Sequence, residues 1–129
     1  MKNILTFINT SGIGFGITSG TITTLGLIIG LYASTRSQHA IIGGVITIAI
    51  ADSCSDAMGM HTAEETNKKS SGEKIWKTTL MTLISKSIVA VSFIIPFVVA
   101  AMNPAVAISI VWGAFLLTLF SFTMARYRQ

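Results

Sequence analysis

The sequence predicts an all-α integral membrane protein with about four transmembrane helices. Of its 129 residues, 51% are hydrophobic and only 11% are charged, whereas roughly a quarter of the residues in a soluble domain are charged. The charges are also clustered, and no charged residue lies between Lys86 and Arg126. Such stretches cannot form a water-facing surface, so we expect a lipid bilayer around most of the chain.

Four apolar segments supply the expected helices, since roughly 20 residues cross a hydrocarbon core. They cover residues 13–33, 40–60, 79–101 and 105–125. A short amphipathic lead at 4–9 can extend the first segment, which is too long for a signal peptide and is predicted to be retained. Asn103-Pro104 predicts a helix stop and restart, so segments three and four form an antiparallel hairpin. Residues 1–129 thus form a single transmembrane domain.

The distribution of lysine and arginine predicts the orientation. Lys2, the lysines of the 62–77 loop and the two arginines near the C-terminus fall on one side, and Arg36 falls on the other. The positive-inside rule then places both termini in the cytoplasm. The net charge of +4 reflects contacts with lipid headgroups, so we expect no nucleic-acid partner. The compact loops favour a prokaryotic cell membrane.

Glycines give one face of the first segment almost no side chains. They are Gly12, Gly16, Gly20, Gly26 and Gly30. Such a face lets another helix approach closely, either within one subunit or along a homodimer seam. Hydroxyl side chains such as Thr23 surround the same helix and either bond their own backbone or line a polar path.

The second segment carries the candidate ion-binding residues. Asp52, Asp56 and Met60 lie on one stripe of a helix, at i, i+4 and i+8. A charge near the middle of a membrane helix costs at least ~2.5 kcal/mol, so Asp52 needs a cation, a proton or water. Two carboxylates with a thioether suit a divalent metal such as Fe²⁺ or Mn²⁺. We therefore expect a mobile cation at this stripe.

Other interpretations of these residues remain open. Asp52 can stay protonated and hydrogen-bond a neighbouring helix, and Asp56 can pair with Lys86 of the third segment. The long stem of Lys86 can instead snorkel to the cytoplasmic surface. Met60 is more often packing filler than a ligand. Three residues at the cytoplasmic end, His61, Glu64 and Glu65, are either the first ligands of an incoming ion or an ordinary solvated linker.

Three stretches resemble the vacuolar iron transporter family. Ser19-Gly-Thr-Ile-Thr-Thr-Leu-Gly-Leu-Ile-Ile-Gly-Leu is similar to its first-helix motif. Ala51-Asp52, Ser55 and Gly59 match its second-helix pattern, and Ile94-Ile-Pro-Phe97 resembles the end of its third helix. The resemblance implies export of metal from the cytosol in exchange for protons. It also implies a path at a homodimer interface lined by the first two helices.

The residues at the family's motif positions match the family only in part. Asp52 corresponds to the acid of the family's second helix, whereas Ser19 stands where the first helix of the family has its acid. Asp56 takes the place of a methionine and Met60 that of a glutamate. The long Glu-rich cytoplasmic insert of many members is absent, as in the nodulin-like branch. Members usually have a fifth helix, so we expect either a four-helix variant or a last helix supplied by a partner or a missing segment.

These observations predict a homodimeric transporter of Fe²⁺ or Mn²⁺ without resident cofactor or enzymatic reaction. Asp52 and Asp56 would bind the ion, with Ser19, Thr23 and Met60 as secondary donors. A small multidrug exporter is disfavoured, because such proteins need an acid in the first helix. The remaining alternative is a non-transporting scaffold or accessory subunit of a larger complex with other membrane subunits.

Overall fold

The computed structural model describes residues 11–127 and consists of four long helices in that range. They are α1 (Ser11–Thr35), α2 (Gln38–Thr66), α3 (Gly72–Val99) and α4 (Met102–Tyr127). Each is long and apolar enough to cross a membrane, and no strand occurs within the described range. The predicted all-α, multi-pass membrane fold is therefore confirmed. The amphipathic lead predicted at 4–9 lies outside the described residues.

The helices extend beyond the apolar segments at one end of the bundle. α2 continues to Thr66 and α3 begins at Gly72, so the connection predicted at 62–77 shrinks to residues 67–71. The Ser71 side chain caps α3 by accepting a hydrogen bond from the backbone N–H of Lys74. Hydropathy alone does not detect these turns, because their polar residues lie beyond the apolar core of each span.

Two helices contain local irregularities. In α2, residues Ile48–Asp52 form a π-helical turn. In α3, the regular helix ends at Ser92 and resumes as Ile95–Val99, where Pro96 lies in the first turn. The break before α4 falls at residues 100–101, earlier than predicted. Pro104 lies in the first turn of α4, where its missing N–H has no intrahelical partner to lose.

The glycines of α1 divide into two groups. A Cβ added to Gly12 would lie 2.4 Å from the Thr78 carbonyl oxygen, and one added to Gly16 would lie 2.0 Å from Ser85 Oγ. These positions let α3 pack directly on the α1 backbone. A Cβ at Gly26 or Gly30 would meet no atom within 4 Å. Packing within the subunit therefore explains the glycines at positions 12 and 16. It does not explain those at positions 26 and 30.

The interior of the bundle has an apolar half and a polar half. Towards the 36–37 connection it is filled by buried side chains from all four helices, among them Ile28, Val45, Phe93 and Val106. Towards the 67–71 connection the buried side chains of α3 are polar. They are Thr78, Thr79, Thr82 and Lys86. The candidate site lies where these two halves meet.

Candidate functional site

Lys86 lies at the centre of the site. Its side chain is fully buried, and its Nζ lies 2.5 Å from Asp52 Oδ2 and 3.0 Å from Ser19 Oγ. Nζ also contacts Asp56 Oδ2. An ammonium group has three N–H donors, so these three oxygens satisfy it completely. The pairing of Asp56 with Lys86, one of the open alternatives, is present and extends to Asp52.

The cluster lies near the middle of the spans. Asp52 is 14 residues from either end of α2, and Lys86 is 14 residues from the start of α3. At 1.5 Å per residue, both lie roughly 20 Å from the helix ends. With its ammonium group held by Asp52, Asp56 and Ser19, Lys86 does not snorkel to a surface.

The glycine face of α1 makes room for Lys86. A Cβ at Gly20 would lie 3.3 Å from Lys86 Cγ, and one at Gly16 would lie 3.0 Å from the Lys86 backbone nitrogen. The stem of the lysine therefore lies directly against the α1 backbone. Ser19, next to Gly20, donates its hydroxyl to Asp56 Oδ2 at 2.7 Å. α1 thus supplies both the space and one polar contact, although it has no acid.

The π-helical turn precedes the cluster and ends at Asp52. Its extra residue changes the direction in which the following side chains point, and such turns often occur at functional sites. Ser87 Oγ donates to the Ala49 carbonyl at 2.8 Å, and Ser53 Oγ donates to the Ile48 carbonyl at 3.1 Å. Sequence reasoning missed the turn and the role of Ser87. The only available signal was the position of Ser87 beside Lys86.

The two carboxylates are not sealed inside the bundle. The side chain of Asp52 is 41% exposed and that of Asp56 is 23% exposed. Lys86 contacts the Oδ2 atom of each, and within residues 11–127 neither Oδ1 atom takes part in a hydrogen bond. When all three groups are ionised, the cluster carries one net negative charge. The charge that Lys86 does not offset therefore lies on these two partly exposed carboxylates.

The secondary donors predicted from the sequence differ in their positions. Ser19 belongs to the cluster, whereas the Thr23 hydroxyl donates to the Ser19 carbonyl of its own helix. Met60 is half-buried, one turn beyond Asp56. Ser19 therefore contacts a carboxylate, whereas the Thr23 hydroxyl is hydrogen-bonded within α1.

The three residues at the end of α2 lie apart from the cluster. His61 Nδ1 lies 2.9 Å from Thr79 Oγ1, and its ring meets Trp76 edge-on. Glu64 forms an ion pair with Lys74 at 3.1 Å, and Glu65 is exposed. His61 is thus half-buried rather than simply solvated.

One copy of the chain supplies few ligands for a metal ion. Within residues 11–127, no three side chains among His, Cys, Asp and Glu are grouped closely enough to hold one ion. Asp52 and Asp56 provide two carboxylates, whereas Mn²⁺ favours octahedral oxygen coordination. Further ligands for such an ion have to come from hydroxyls, backbone carbonyls, water or another chain.

Comparison of the chain with family models, curated proteins and solved structures found no match. The resemblance to the vacuolar iron transporter family therefore stays a prediction from the sequence.

Proposed function

We propose that this chain is a homodimeric transporter that exports a divalent metal ion, Fe²⁺ or Mn²⁺, from the cytosol in exchange for protons. The observation that carries this proposal is the cluster of Asp52, Asp56 and Lys86. It lies near the middle of the spans, has one net negative charge when ionised, and exposes carboxylate oxygens. Ionisable groups at such a depth commonly mark ion pathways, because their cost must be offset by a function.

Small residues beside the exposed carboxylates favour assembly of two copies. The α1–α2 face, as we call it, consists of exposed small residues of both helices. They are Gly26, Gly30, Gly43, Thr47, Ala51, Ser55 and Gly59. A Cβ added to any of its four glycines would meet no atom within 4 Å. A second copy packed here would shield the carboxylates from lipid and bring two pairs of them together.

Competition for the carboxylates provides the coupling to protons. A carboxylate binds a metal ion only in its deprotonated form, so protons and metal exclude one another at Asp52 and Asp56. Ser19 and Met60 would be secondary donors. With both termini in the cytoplasm of a prokaryotic cell, His61, Glu64 and Glu65 would lie at the mouth from which the metal enters.

Flux measurements with purified protein test this function. Liposomes containing the wild type are given an imposed pH gradient, and uptake of Mn²⁺ and Fe²⁺ is followed. We expect Asp52→Asn to reduce the flux at least about tenfold. Even the loss of a group that only hydrogen-bonds a metal ligand lowers the metal affinity by roughly 10- to 100-fold. Glu73→Gln, an exposed acid in the first turn of α3, is the matched control. Absence of flux in the wild type, or equal flux in Asp52→Asn, would reject the proposal.

One observation favours the accessory-subunit alternative. Lys86 already offsets one carboxylate charge, so a single cation from another protein would neutralise the cluster. The α1–α2 face would then pack against a different membrane chain. Under this alternative the purified chain alone transports no metal, and the same liposome experiment distinguishes the two functions.

A further inference from the structure

We propose that the Lys86 ammonium is a tethered cation that holds the place of the cargo between Asp52 and Asp56, and that an arriving metal ion displaces it towards the Thr24 hydroxyl. This proposal rests on the proposed function and assigns Lys86 a specific task within it. Lys86 would weaken cargo binding and promote release of the ion.

The first step of the argument is that two cations compete for the same oxygens. Lys86 Nζ contacts Oδ2 of both aspartates, so a metal ion using both carboxylates would lie within a few ångströms of the ammonium. The repulsion between two positive charges at such a distance is strong in a region of low dielectric constant. Simultaneous occupation is therefore disfavoured, and the bound states with Lys86 and with cargo alternate.

The second step is that the lysine can move without moving the backbone. Its stem of four carbon atoms is flexible, and on one side it lies against Gly20, which has no side chain. In this proposal, rotation about the stem carries the ammonium along the α1 backbone, past Val89, whose Cγ1 would lie 3.4 Å from a Cβ at Gly20. An arginine, with its planar and larger head group, fits this space less well.

The third step identifies an acceptor for the displaced ammonium. Thr24 is fully buried, and within the described part of the chain its hydroxyl is the buried side-chain polar atom without a hydrogen-bond partner. It lies one turn after Gly20, about 6 Å along the helix. Because side chains of a helix lean towards its N-terminus, Thr24 leans towards the level of Gly20 and the lysine stem. A buried acceptor without a partner is unfavourable, and the ammonium would satisfy it.

The test measures Mn²⁺ binding to purified full-length protein by the loss of the electron paramagnetic resonance signal of free Mn²⁺. We expect Lys86→Met to bind Mn²⁺ at least about tenfold more tightly than the wild type, because the competing charge is gone. Lys77→Met, which removes a lysine from the exposed start of the same helix, should change the affinity less than about twofold. Flux through Lys86→Met should fall, since the ion is released more slowly.

A second variant keeps the proposal testable, because Lys86→Met leaves two carboxylates without their fixed counter-charge and can fail to fold. Thr24→Val removes only the acceptor and should weaken Mn²⁺ binding about three- to tenfold, the usual effect of one hydrogen bond. Thr21→Val is the matched control, because the Thr21 hydroxyl is also buried but donates to the Ile17 carbonyl.

The outcomes separate the two proposals. If the wild type transports Mn²⁺ but folded Lys86→Met binds it no more tightly, the displacement proposal is overturned and the transport function stands. Equal binding by Thr24→Val and Thr21→Val overturns the position assigned to the displaced ammonium. If the wild type shows no flux and no variant binds Mn²⁺, the transport function itself is rejected.

Discussion

At the scale of single residues, the stability of the interior depends on how Lys86 is neutralised. A lysine at the centre of a membrane helix costs roughly 2.5–3.5 kcal/mol even when local adjustments are allowed. Two carboxylates and a hydroxyl surround its ammonium group. Either carboxylate alone can balance the single charge, so the site tolerates the loss of one acid better than the loss of both.

This redundancy predicts a non-additive pair of substitutions. Asp56→Ala should lower the free energy of unfolding by about 1.5–3 kcal/mol, the value for a hydrogen bond to a charged group. The double variant Asp52→Ala/Asp56→Ala should lose more than the sum of the single variants, because Lys86 then keeps no counter-charge and an uncompensated buried charge costs about 3–5 kcal/mol. Thermal unfolding in detergent measures these differences.

The control pair for this prediction is Glu65→Ala/Glu73→Ala, which removes two exposed acids and should be additive. Strictly additive effects at Asp52 and Asp56 would contradict the shared neutralisation of Lys86.

At the scale of helices, the π-helical turn of α2 connects the fold to the site. The wider turn leaves backbone carbonyls outside the regular hydrogen-bond pattern, and Ser87 of α3 donates to one of them, that of Ala49. The same contact links α2 to α3 three residues before Asp52 and one residue after Lys86. Ser87 therefore affects the cluster through the backbone of α2.

Ser87→Ala should weaken both the turn and the position of Asp52. We expect a loss of about 0.6–1.7 kcal/mol in the free energy of unfolding, the range measured for interhelical hydrogen bonds in a membrane protein, together with reduced Mn²⁺ flux. Ser109→Ala is the matched control, since the buried Ser109 hydroxyl donates to the Ala105 carbonyl of its own helix. Unfolding curves and liposome uptake check both effects. If Ser87→Ala and Ser109→Ala lost the same free energy of unfolding and the same flux, Ser87 would not position Asp52.

The glycines of α1 predict opposite effects of the same substitution. Gly16→Ala should destabilise the protein by about 1–3 kcal/mol, as overpacking does, because its Cβ would lie 2.9 Å from the Thr82 carbonyl oxygen. Gly26→Ala has free space around its Cβ within its own chain, so in the monomeric form, where no partner packs on Gly26, it should stabilise α1 by roughly 0.5–1 kcal/mol through helix propensity. Thermal unfolding of the two variants compares them directly. If Gly26→Ala lowered the free energy of unfolding as much as Gly16→Ala, the predicted difference between the two glycines would be wrong.

The sequence predicted the helices more completely than the site. Hydropathy identified all four spans, because lipid exposure imposes the same apolar requirement on each. The helix spacing of Asp52 and Asp56 placed both on one stripe, and both contact Lys86. The burial of Lys86 was not predictable, since it depends on the space that Gly16 and Gly20 of α1 leave for its side chain. The π-helical turn depends similarly on a contact made from α3.

At the scale of the whole molecule, the distribution of polar and small residues is asymmetric. α4 presents large apolar side chains such as Val111, Phe115 and Phe122 to the surroundings, as lipid contact requires. α1 and α2 also expose large apolar side chains such as Ile22 and Ile50, but the α1–α2 face adds glycines, small side chains and two partly exposed carboxylates. Lipid solvates such a face poorly, and a second protein surface packs on it well. If the proposed homodimer forms, we therefore expect its contact on this face.

Leucine on the α1–α2 face should break the dimer without unfolding the subunit. Gly26→Leu and Gly59→Leu place bulk where an added Cβ meets no atom of the same chain within 4 Å, so the subunit can accept it while a closely packed partner cannot. We expect the mass measured by light scattering in detergent to fall from dimer to monomer, with unfolding temperatures near that of the wild type and Mn²⁺ flux lost. Ala114→Leu on the exposed side of α4 should leave all three properties unchanged. A monomeric wild type, or leucine variants that remain dimeric, would contradict this arrangement, because a partner that tolerates leucine at both positions does not contact this face.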